Sequence, residues 1–352
     1  MRAIAPKSDG GVDEPLATAP IRIGNALYIA PRQRTYMLTN TGAGVGDHAP
    51  VIKMVVGRMK ETLDGPLLRP RILPAFERFS RYRLKKRGLN VRFIETNMGR
   101  LHVFDGPGRG SLPPIVVLHG ITSSAAAFGP LLAMLQGHTR RVIAPDAPGH
   151  GFSEVPRSLL DSDALLDSMT SALDQLLDEP AIVCGNSLGG AIALHYAAHR
   201  PERVRGLVLL SPAGAPWTEN ELKALLGIFR MESRRDATAF LNTIYHRKPW
   251  FAPLVAADIV HSVKRRAVRD LFDSATAGFG ATPEQLASLA MPILFWWGRS
   301  ERLLPPSNLA YFRAHLPPHA IIEEPEGIGH CPHFDSSHAT TQRIVEFARS
   351  IA

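Results

Sequence analysis

The sequence predicts an α/β fold with a mostly parallel central sheet. From residue 91 onward short apolar runs alternate with helical patterns, which is typical of β-α units. The runs from residue 115 onward are nearly unbroken in their apolar character, which indicates strands covered by helices on both faces. A single long interval of helical pattern interrupts this order and indicates an inserted subdomain.

Eight strands are expected. The first two form a hairpin across Asn97-Met98-Gly99, and the other six are buried. Their expected positions are 91–95, 101–104, 115–118, 141–144, 181–184, 207–210, 293–297 and 320–323. Core helices are expected near 125–136, 161–178, 187–199 and 337–350, and earlier helices at 51–64 and 74–87.

The interval between Ser211 and Met291 contains roughly 80 residues, although a parallel connection needs only about a dozen. Its helical patterns cover 219–240, 251–272 and 283–290, so we expect a helical cap over the carboxyl ends of the strands. The expected organisation is therefore an N-terminal extension (1–90), a core (91–214 and 291–352) and a cap (215–290).

The charge of the chain is concentrated in the extension. Of the 352 residues, the first 90 contain 16 Lys and Arg but only 7 Asp and Glu, whereas the remainder is nearly balanced. The densest basic stretch is 78–87. Residues 54–87 are thus a candidate for contact with an anionic membrane surface, the alternative being a solvated helix face. Nucleic acid is the less favoured partner.

Composition also limits the location and the chemistry. An apolar share of 45% is normal for a globular protein, and no window reaches the 18 to 20 consecutive apolar residues of a membrane span. Residues 1–20 lack the pattern of a secretory signal. Cys184 and Cys331 provide neither a disulfide framework nor metal-ligand spacing. We expect a cytoplasmic protein, peripheral to a membrane if the basic stretch binds one.

Ser187 is the candidate nucleophile. It lies in Gly185-Asn186-Ser187-Leu188-Gly189, between an apolar strand and a helix-forming stretch. So sharp a turn strains the serine backbone and requires neighbours without side chains, a requirement that Gly185 and Gly189 meet. The alternative is a glycine-rich loop without chemistry.

A serine hydroxyl needs a base, and the base needs an acidic group to orient it. His330, directly after Gly329 in the loop beyond the last strand, is the candidate base, with His333 as its competitor. Glu301, just beyond the strand at 293–297, is the candidate acid, because Ser211-Pro212-Ala213-Gly214 after the preceding strand carries no carboxylate. Alternatively, Glu301 is a surface partner of a neighbouring arginine.

The negative charge that develops in acyl transfer requires fixed donors. The backbone N–H groups of Leu188 and Ile121 are the candidates for this oxyanion hole. His119 is expected to brace the loop that carries Ile121. Asp146 and His150 share one compact loop, and we expect them to shape the rim of the pocket.

Taken together, these segments resemble the alpha/beta-hydrolase superfamily over residues 91–352. The matching motifs are Leu118-His119-Gly120, 146–153, 185–189, 297–301 and 329–332, in the expected order. The resemblance implies the alpha/beta-hydrolase fold and a Ser-His-acid triad, here Ser187, His330 and Glu301. The cap and the loop after Gly120 are most similar to the serine esterase and lipase branch, particularly to monoacylglycerol-lipase-like proteins.

The expected function is hydrolysis of carboxylic esters of lipophilic acyl groups, monoacylglycerol being one candidate, without a metal or an organic cofactor. Two alternatives stay open. Carbon-carbon bond hydrolases of ring-cleavage products often have a Gly-Asn-Ser turn as this chain does. A non-catalytic scaffold protein could keep the same fold.

Overall fold

The structure, a computed structural model, describes residues 72–352 and, further upstream, the backbone of a short hairpin. The hairpin pairs β1 (Arg22–Ile23) with β2 (Ala26–Leu27) in antiparallel register, and it belongs to a compact unit of its own, Met1–Lys53. Residues 72–352 belong to a second compact unit that begins at Met54. The helix expected at 51–64 lies outside the described residues.

An eight-stranded sheet forms the centre of the second unit. Its strands are β3 (Asn90–Thr96), β4 (Gly99–Pro107), β5 (Ile115–Leu118), β6 (Arg141–Pro145), β7 (Ala181–Asn186), β8 (Val204–Leu210), β9 (Ile293–Trp296) and β10 (Ile321–Glu323). The order across the sheet is β10-β9-β8-β7-β5-β6-β4-β3, and only the pairs β3–β4 and β4–β6 are antiparallel. The expected fold class and the positions of all eight expected strands are confirmed. The expectation that the last strand is buried was wrong: β10 is the outermost strand at one edge, so it has a neighbour on one side only, and Ile321 is 42% exposed.

Twelve α-helices surround or extend this sheet in the described part of the chain. They are α1 (Ile72–Lys86), α2 (Gly129–Leu135), α3 (Ser162–Leu176), α4 (Leu188–His199), α5 (Glu219–Phe229), α6 (Arg234–Ile244), α7 (Ala252–Val263), α8 (Arg266–Asp273), α9 (Pro283–Ala287), α10 (Pro306–His315), α11 (Pro332–Asp335) and α12 (Ser337–Ser350). A short 3-10 turn, Ala125–Phe128, precedes α2.

Both faces of the central part of the sheet are buried: successive strand residues point to opposite sides, and helices cover each side. On one face Val183, Leu209 and Phe295 pack with side chains of α3, α4 and α10. On the other, Ile182 and Leu210 pack with side chains of α2 and α12. The continuous apolar strands of the sequence therefore supply two cores, one for each face.

The segment between β8 and β9 forms five helices, α5 to α9, with an apolar cluster of their own. The continuous pattern expected over 219–240 is divided into α5 and α6. The cause is Ser233, whose hydroxyl accepts from the backbone N–H of Asp236 while the Asp236 carboxylate accepts from the N–H of Ser233. This reciprocal cap starts a new helix and so ends the earlier one.

Helix α1 packs against α7 and α2. The backbone N–H groups of Ile72 and Leu73 donate to the carboxylate of Asp258 on α7, at 2.8 Å and 2.6 Å. Farther along α1, Glu77 accepts from the Ser124 hydroxyl at 2.8 Å. Two separate contacts thus fix α1 on the core. Within residues 72–352 no helix has the length and apolar content needed to cross a membrane.

Candidate active site

Ser187 lies in the tight turn between β7 and α4, as its sequence context predicts. Its φ of 53° and ψ of −119° are strained values for a residue with a side chain. A Cβ added at Gly185 would collide with the carbonyl of Gly189, and one added at Gly189 would collide with the carbonyl of Leu118. Both glycines are therefore required by close backbone approach.

His330 and Glu301 form a buried pair. The Nδ1 atom of His330 lies 2.7 Å from Oε2 of Glu301, and the two side chains are only 4% and 2% exposed. Glu301 follows β9 and His330 follows β10, so the parallel neighbours β9 and β10 bring these loops together. The other oxygen of Glu301 accepts from the backbone N–H groups of Leu303 and Leu304 at 2.8 Å and 3.1 Å.

The surroundings of Glu301 keep it ionised. Burial by itself raises the pKa of this carboxyl, but the nearby His330 and the hydrogen bonds from His330, Leu304 and Leu303 outweigh burial. The net pKa lies below its ordinary value of 4.5. A carboxylate at this position can stabilise a positive charge on the imidazole of His330.

The competitor His333 lies in a different environment. Its ring stacks on Phe128 with the centroids 3.7 Å apart, and neither ring nitrogen has a hydrogen-bond partner among the described residues. Burial lowers the pKa of His333 to about 3. The imidazole that pairs with the buried carboxylate is therefore that of His330.

Asn186 is a site residue whose role was not recognised from the sequence. Its Nδ2 atom donates to the carbonyl of Leu210 at 2.8 Å and to the carbonyl of His330 at 2.9 Å. The residue before Ser187 thereby ties the end of β7 to the end of β8 and to the histidine loop. The only sequence signal for it was the Gly-Asn-Ser turn itself.

The loop after β5 provides the second candidate oxyanion donor. His119 accepts from Ala147 N–H through Nε2 at 3.0 Å, so its Nδ1 carries the proton and donates to the Gly120 carbonyl at 2.8 Å. That carbonyl belongs to the same planar peptide as the N–H of Ile121, and the two point in opposite directions. His119 therefore fixes the direction of the Ile121 N–H, which agrees with the bracing role expected for it.

Leu188 supplies the other candidate donor. It is the first residue of α4, where N–H groups have no intrahelical partner and the positive end of the helix dipole is directed at Ser187. In the loop after β5, Thr122 has a φ of 62°, an unusual value that accompanies the sharp turn beside Ile121.

Asp146 and His150 do not shape the pocket rim, contrary to expectation. Both are fully buried and line neither of the two cavities at Ser187. Asp146 instead accepts from the backbone N–H groups of Ala125 and Phe152 at 2.7 Å and 3.0 Å. Burial lowers the pKa of His150 to about 3. The physical reason is that the carboxylate serves as a buried acceptor for backbone amides, one in its own loop and one at the start of the turn Ala125–Phe128.

Two cavities meet at Ser187. The larger, of about 410 Å³, is lined by α3, α4 and the inserted helices, and the smaller, of about 120 Å³, contains His330 and the inner side of α1. Four residues line both cavities: Ile121, Ser187, Phe229 and Leu303. The serine therefore stands where the two spaces join, and His330 faces the smaller one.

Comparisons with known proteins agree with this arrangement. The model of the alpha/beta hydrolase fold family matches residues 113–261. A pimeloyl-[acyl-carrier protein] methyl ester esterase from Xanthomonas oryzae is 28% identical over 264 residues, which cover 69% of this chain and 97% of the relative. A 2-hydroxymuconate semialdehyde hydrolase from a Pseudomonas strain is 32% identical over 211 residues, which cover 54% of this chain and 71% of the relative.

Among solved structures, the carboxylesterase CesB from Bacillus subtilis superposes with a TM-score of 0.61 at 22% identity. The match covers 78% of this chain and 98% of that protein. At this identity the likeness concerns the fold alone. The sheet order, the strained serine turn and the matched relatives lead to one conclusion: the chain belongs to the alpha/beta-hydrolase superfamily.

Proposed function

We propose that this protein is a serine hydrolase that cleaves carboxylic esters of lipophilic acyl groups. The observation that carries the proposal is the buried His330–Glu301 pair, which faces the same cavity as the strained Ser187. A base that is held by an ionised carboxylate and lines the same cavity as a serine hydroxyl is the arrangement that nucleophilic acyl transfer requires.

In the proposed mechanism the hydroxyl oxygen of Ser187 attacks the ester carbonyl while Nε2 of His330 takes the hydroxyl proton. Glu301 stabilises the imidazolium that forms, and the N–H groups of Ile121 and Leu188 bind the oxyanion. Collapse of the tetrahedral species breaks the bond to the alcohol oxygen, which leaves with the proton from His330. Water, activated by the same imidazole, then releases the acyl group as a carboxylic acid.

The larger cavity fits the acyl part of the substrate because its lining follows one side of α4. The residues of α4 that line it are Leu188, Ala191, Leu194, His195, Ala198 and His199. They extend over about 16 Å from the serine end of the helix to its carboxyl end. The inserted helices line this channel with apolar side chains, among them Leu222, Leu225 and Phe272. An extended hydrocarbon chain gains free energy for each methylene that it buries there.

The smaller cavity fits a compact alcohol. Its walls combine apolar side chains such as Leu73 and Phe240 with polar groups, including the Glu77 carboxyl and the Ser124 hydroxyl. Hydroxyl groups of an alcohol such as glycerol could exchange hydrogen bonds with these side chains. Monoacylglycerol is thus one candidate within the proposed substrate class.

A second candidate reaction is hydrolysis of a carbon-carbon bond in a ring-cleavage product. The relative named 2-hydroxymuconate semialdehyde hydrolase and the Gly-Asn-Ser turn support it. The charge of the site argues against this reaction. Its substrate, an anionic ring-cleavage product, would favour a cationic contact, and none of the described residues that line the two cavities is Lys or Arg. The ester reaction is therefore preferred.

The proposal is tested with p-nitrophenyl esters of increasing acyl length and with a fluorophosphonate probe. We expect turnover that rises with chain length, and labelling by the probe, in the wild type and in Ser288→Ala, a surface control. Ser187→Ala should show neither. Turnover that survives in Ser187→Ala would refute the mechanism. Failure of the probe to label the wild type would favour a non-catalytic scaffold, and activity on a ring-cleavage product alone would favour the second reaction.

A further inference from the structure

Helix α1 presents an exposed face of mixed apolar and basic character. Seven side chains lie within an arc of about 120° on this face. We call them the outer stripe: Ile72, Ala75, Phe76, Phe79, Tyr82, Arg83 and Lys86. Phe79 and Tyr82 are 56% and 59% exposed, which is unusual for aromatic side chains of a helix that packs on a core.

The opposite side of α1 is fastened to the protein. Asp258 accepts from the backbone at the start of the helix, and Glu77 accepts from the Ser124 hydroxyl. Leu84 is buried in the core near the end of the helix. Burial by the core therefore fixes which side of α1 faces outward, and the exposure of the outer stripe is a property of the folded chain.

Charge on α1 has one sign on its exposed surface. The single carboxylate of the helix, Glu77, belongs to the inner side, whereas Arg78, Arg83, Lys85 and Lys86 are exposed. The cations lie beside the aromatic rings: the Arg83 guanidinium is 5.8 Å from the centroid of Phe79, and the Lys86 ammonium is 5.7 Å from that of Tyr82. Such a surface complements a partner that is both anionic and apolar.

An anionic lipid surface has both properties. Aromatic rings are favoured at the boundary between headgroups and acyl chains, where Lys and Arg reach outward to the phosphates. At 15 residues, α1 is about 22 Å long and carries polar groups throughout, so it suits a position in the plane of the surface. The phosphates of nucleic acid would attract the cations but would make no favourable contact with the exposed side chain of Ile72.

We infer that the outer stripe of α1 docks the protein on anionic lipid surfaces. The same helix reaches the candidate site, because Leu73, Phe76 and Glu77 line the smaller cavity. Phe76 belongs both to that cavity and to the outer stripe, and it is 38% exposed. Docking in this orientation brings the smaller cavity next to the lipid.

The test is flotation of the full chain with phosphatidylcholine vesicles that contain or lack about 30 mol % phosphatidylserine. Two double variants test the aromatic and the basic contributions to binding separately. Phe79→Ser with Tyr82→Ser removes the aromatic rings, and Arg83→Glu with Lys86→Glu reverses the two positive charges. A matched control, Arg109→Glu with Lys223→Glu, makes the same change in net charge at exposed positions outside α1. An unchanged thermal midpoint of unfolding shows that each variant is folded.

We expect the wild type and the control to float with the phosphatidylserine vesicles, and each α1 variant to bind at least about tenfold more weakly. Binding of the wild type should fall steeply when salt rises from about 0.05 M to about 0.5 M. Equal binding by all variants, loss of binding in the control, or no binding by the wild type would overturn the inference. Stronger binding to a single-stranded DNA oligomer, lost in the α1 variants, would overturn it in favour of nucleic acid. Flotation needs no turnover, so its failure would leave the proposed esterase function untouched.

Discussion

Replacement of Glu301 by glutamine tests the proposed triad most sharply, because the structure fixes how the new amide must point. Oε1 of Glu301 accepts from the N–H groups of Leu303 and Leu304, so the glutamine oxygen has to remain there. The amide nitrogen then faces Nδ1 of His330, 2.7 Å away in the wild type. Since an N–H donor requires an acceptor, Nδ1 must lose its proton and the imidazole proton moves to Nε2.

A histidine with its proton on Nε2 cannot accept the serine proton. We therefore expect kcat of Glu301→Gln to fall about 10⁴-fold, as a wrong tautomer does in a serine triad. A loss of this size corresponds to about 5.5 kcal/mol of transition-state stabilisation. Glu301→Asp keeps the correct tautomer but withdraws the carboxylate by one methylene, and we expect a smaller loss of about 10²-fold.

The assay is steady-state hydrolysis of a p-nitrophenyl ester, corrected for folded protein. Glu326→Gln serves as the matched control, because Glu326 is 79% exposed and pairs with Arg299 at the surface. We expect it to keep the wild-type rate. A Glu301→Gln enzyme that retains more than about a tenth of the wild-type kcat would refute the tautomer argument.

The same substitution has a signature in stability. The folded-state pKa of Glu301 lies below 4.5, so the ionised carboxylate stabilises the fold above that pH, and this contribution is lost as the pH falls through the folded-state value. Glutamine does not titrate. The difference in free energy of unfolding between wild type and Glu301→Gln, measured with urea, should therefore shift against the wild type below about pH 4.5. A difference that is constant from neutral pH to acid would contradict this reasoning.

Three further predictions concern the residues around the site. Asn186→Ala leaves the buried carbonyl of His330 without its side-chain donor, whereas the Leu210 carbonyl keeps the N–H of Ser187. We expect about 1 to 3 kcal/mol less stability in urea unfolding and at least about tenfold slower fluorophosphonate labelling; an unchanged labelling rate would show that Asn186 does not position the histidine loop. His333 has a folded-state pKa of about 3, below the ordinary 6.5, so its burial destabilises the fold increasingly as the pH falls below 6.5. His333→Phe should therefore reduce the slope of the free energy of unfolding against pH by about 1.4 kcal/mol per pH unit between pH 3 and pH 6.5, and an unaltered slope would refute this. Ala191→Phe should slow the hydrolysis of short and long acyl esters alike, whereas Ala198→Phe, about 10 Å farther along α4, should slow only the hydrolysis of long acyl esters. Identical chain-length profiles for the two variants would exclude the proposed acyl channel.

The central strands β5, β7 and β9 could be predicted from the sequence because each is a short and almost wholly apolar run. Their side chains are buried on both faces of the sheet, so the pattern is unambiguous. The positions of Gly185 and Gly189 were predictable for a related reason: the backbone approaches them so closely that no other residue fits. Local sterics of this kind are visible in a short stretch of sequence.

Contacts between distant segments were not predictable. The hydrogen bond from Asn186 to the His330 carbonyl joins positions 144 residues apart, and nothing near Asn186 indicates its partner. The participation of α1 in the smaller cavity depends similarly on Glu77 meeting Ser124, 47 residues away. The prediction for Asp146 was wrong because the turn-forming residues around it suggested a pocket rim, whereas its carboxylate oxygens accept hydrogen bonds from backbone N–H groups.

The junction of the two cavities at Ser187 has a consequence for reactivity. In the proposed mechanism the acyl group stays in the larger cavity after the alcohol has left, and the smaller cavity is then the route by which the next nucleophile would reach the acylated serine. Its partly apolar lining admits small alcohols as readily as water. An esterase with this partition is expected to exchange one alcohol for another in mixed solvents, with a product ratio governed by how well each alcohol fits beside His330.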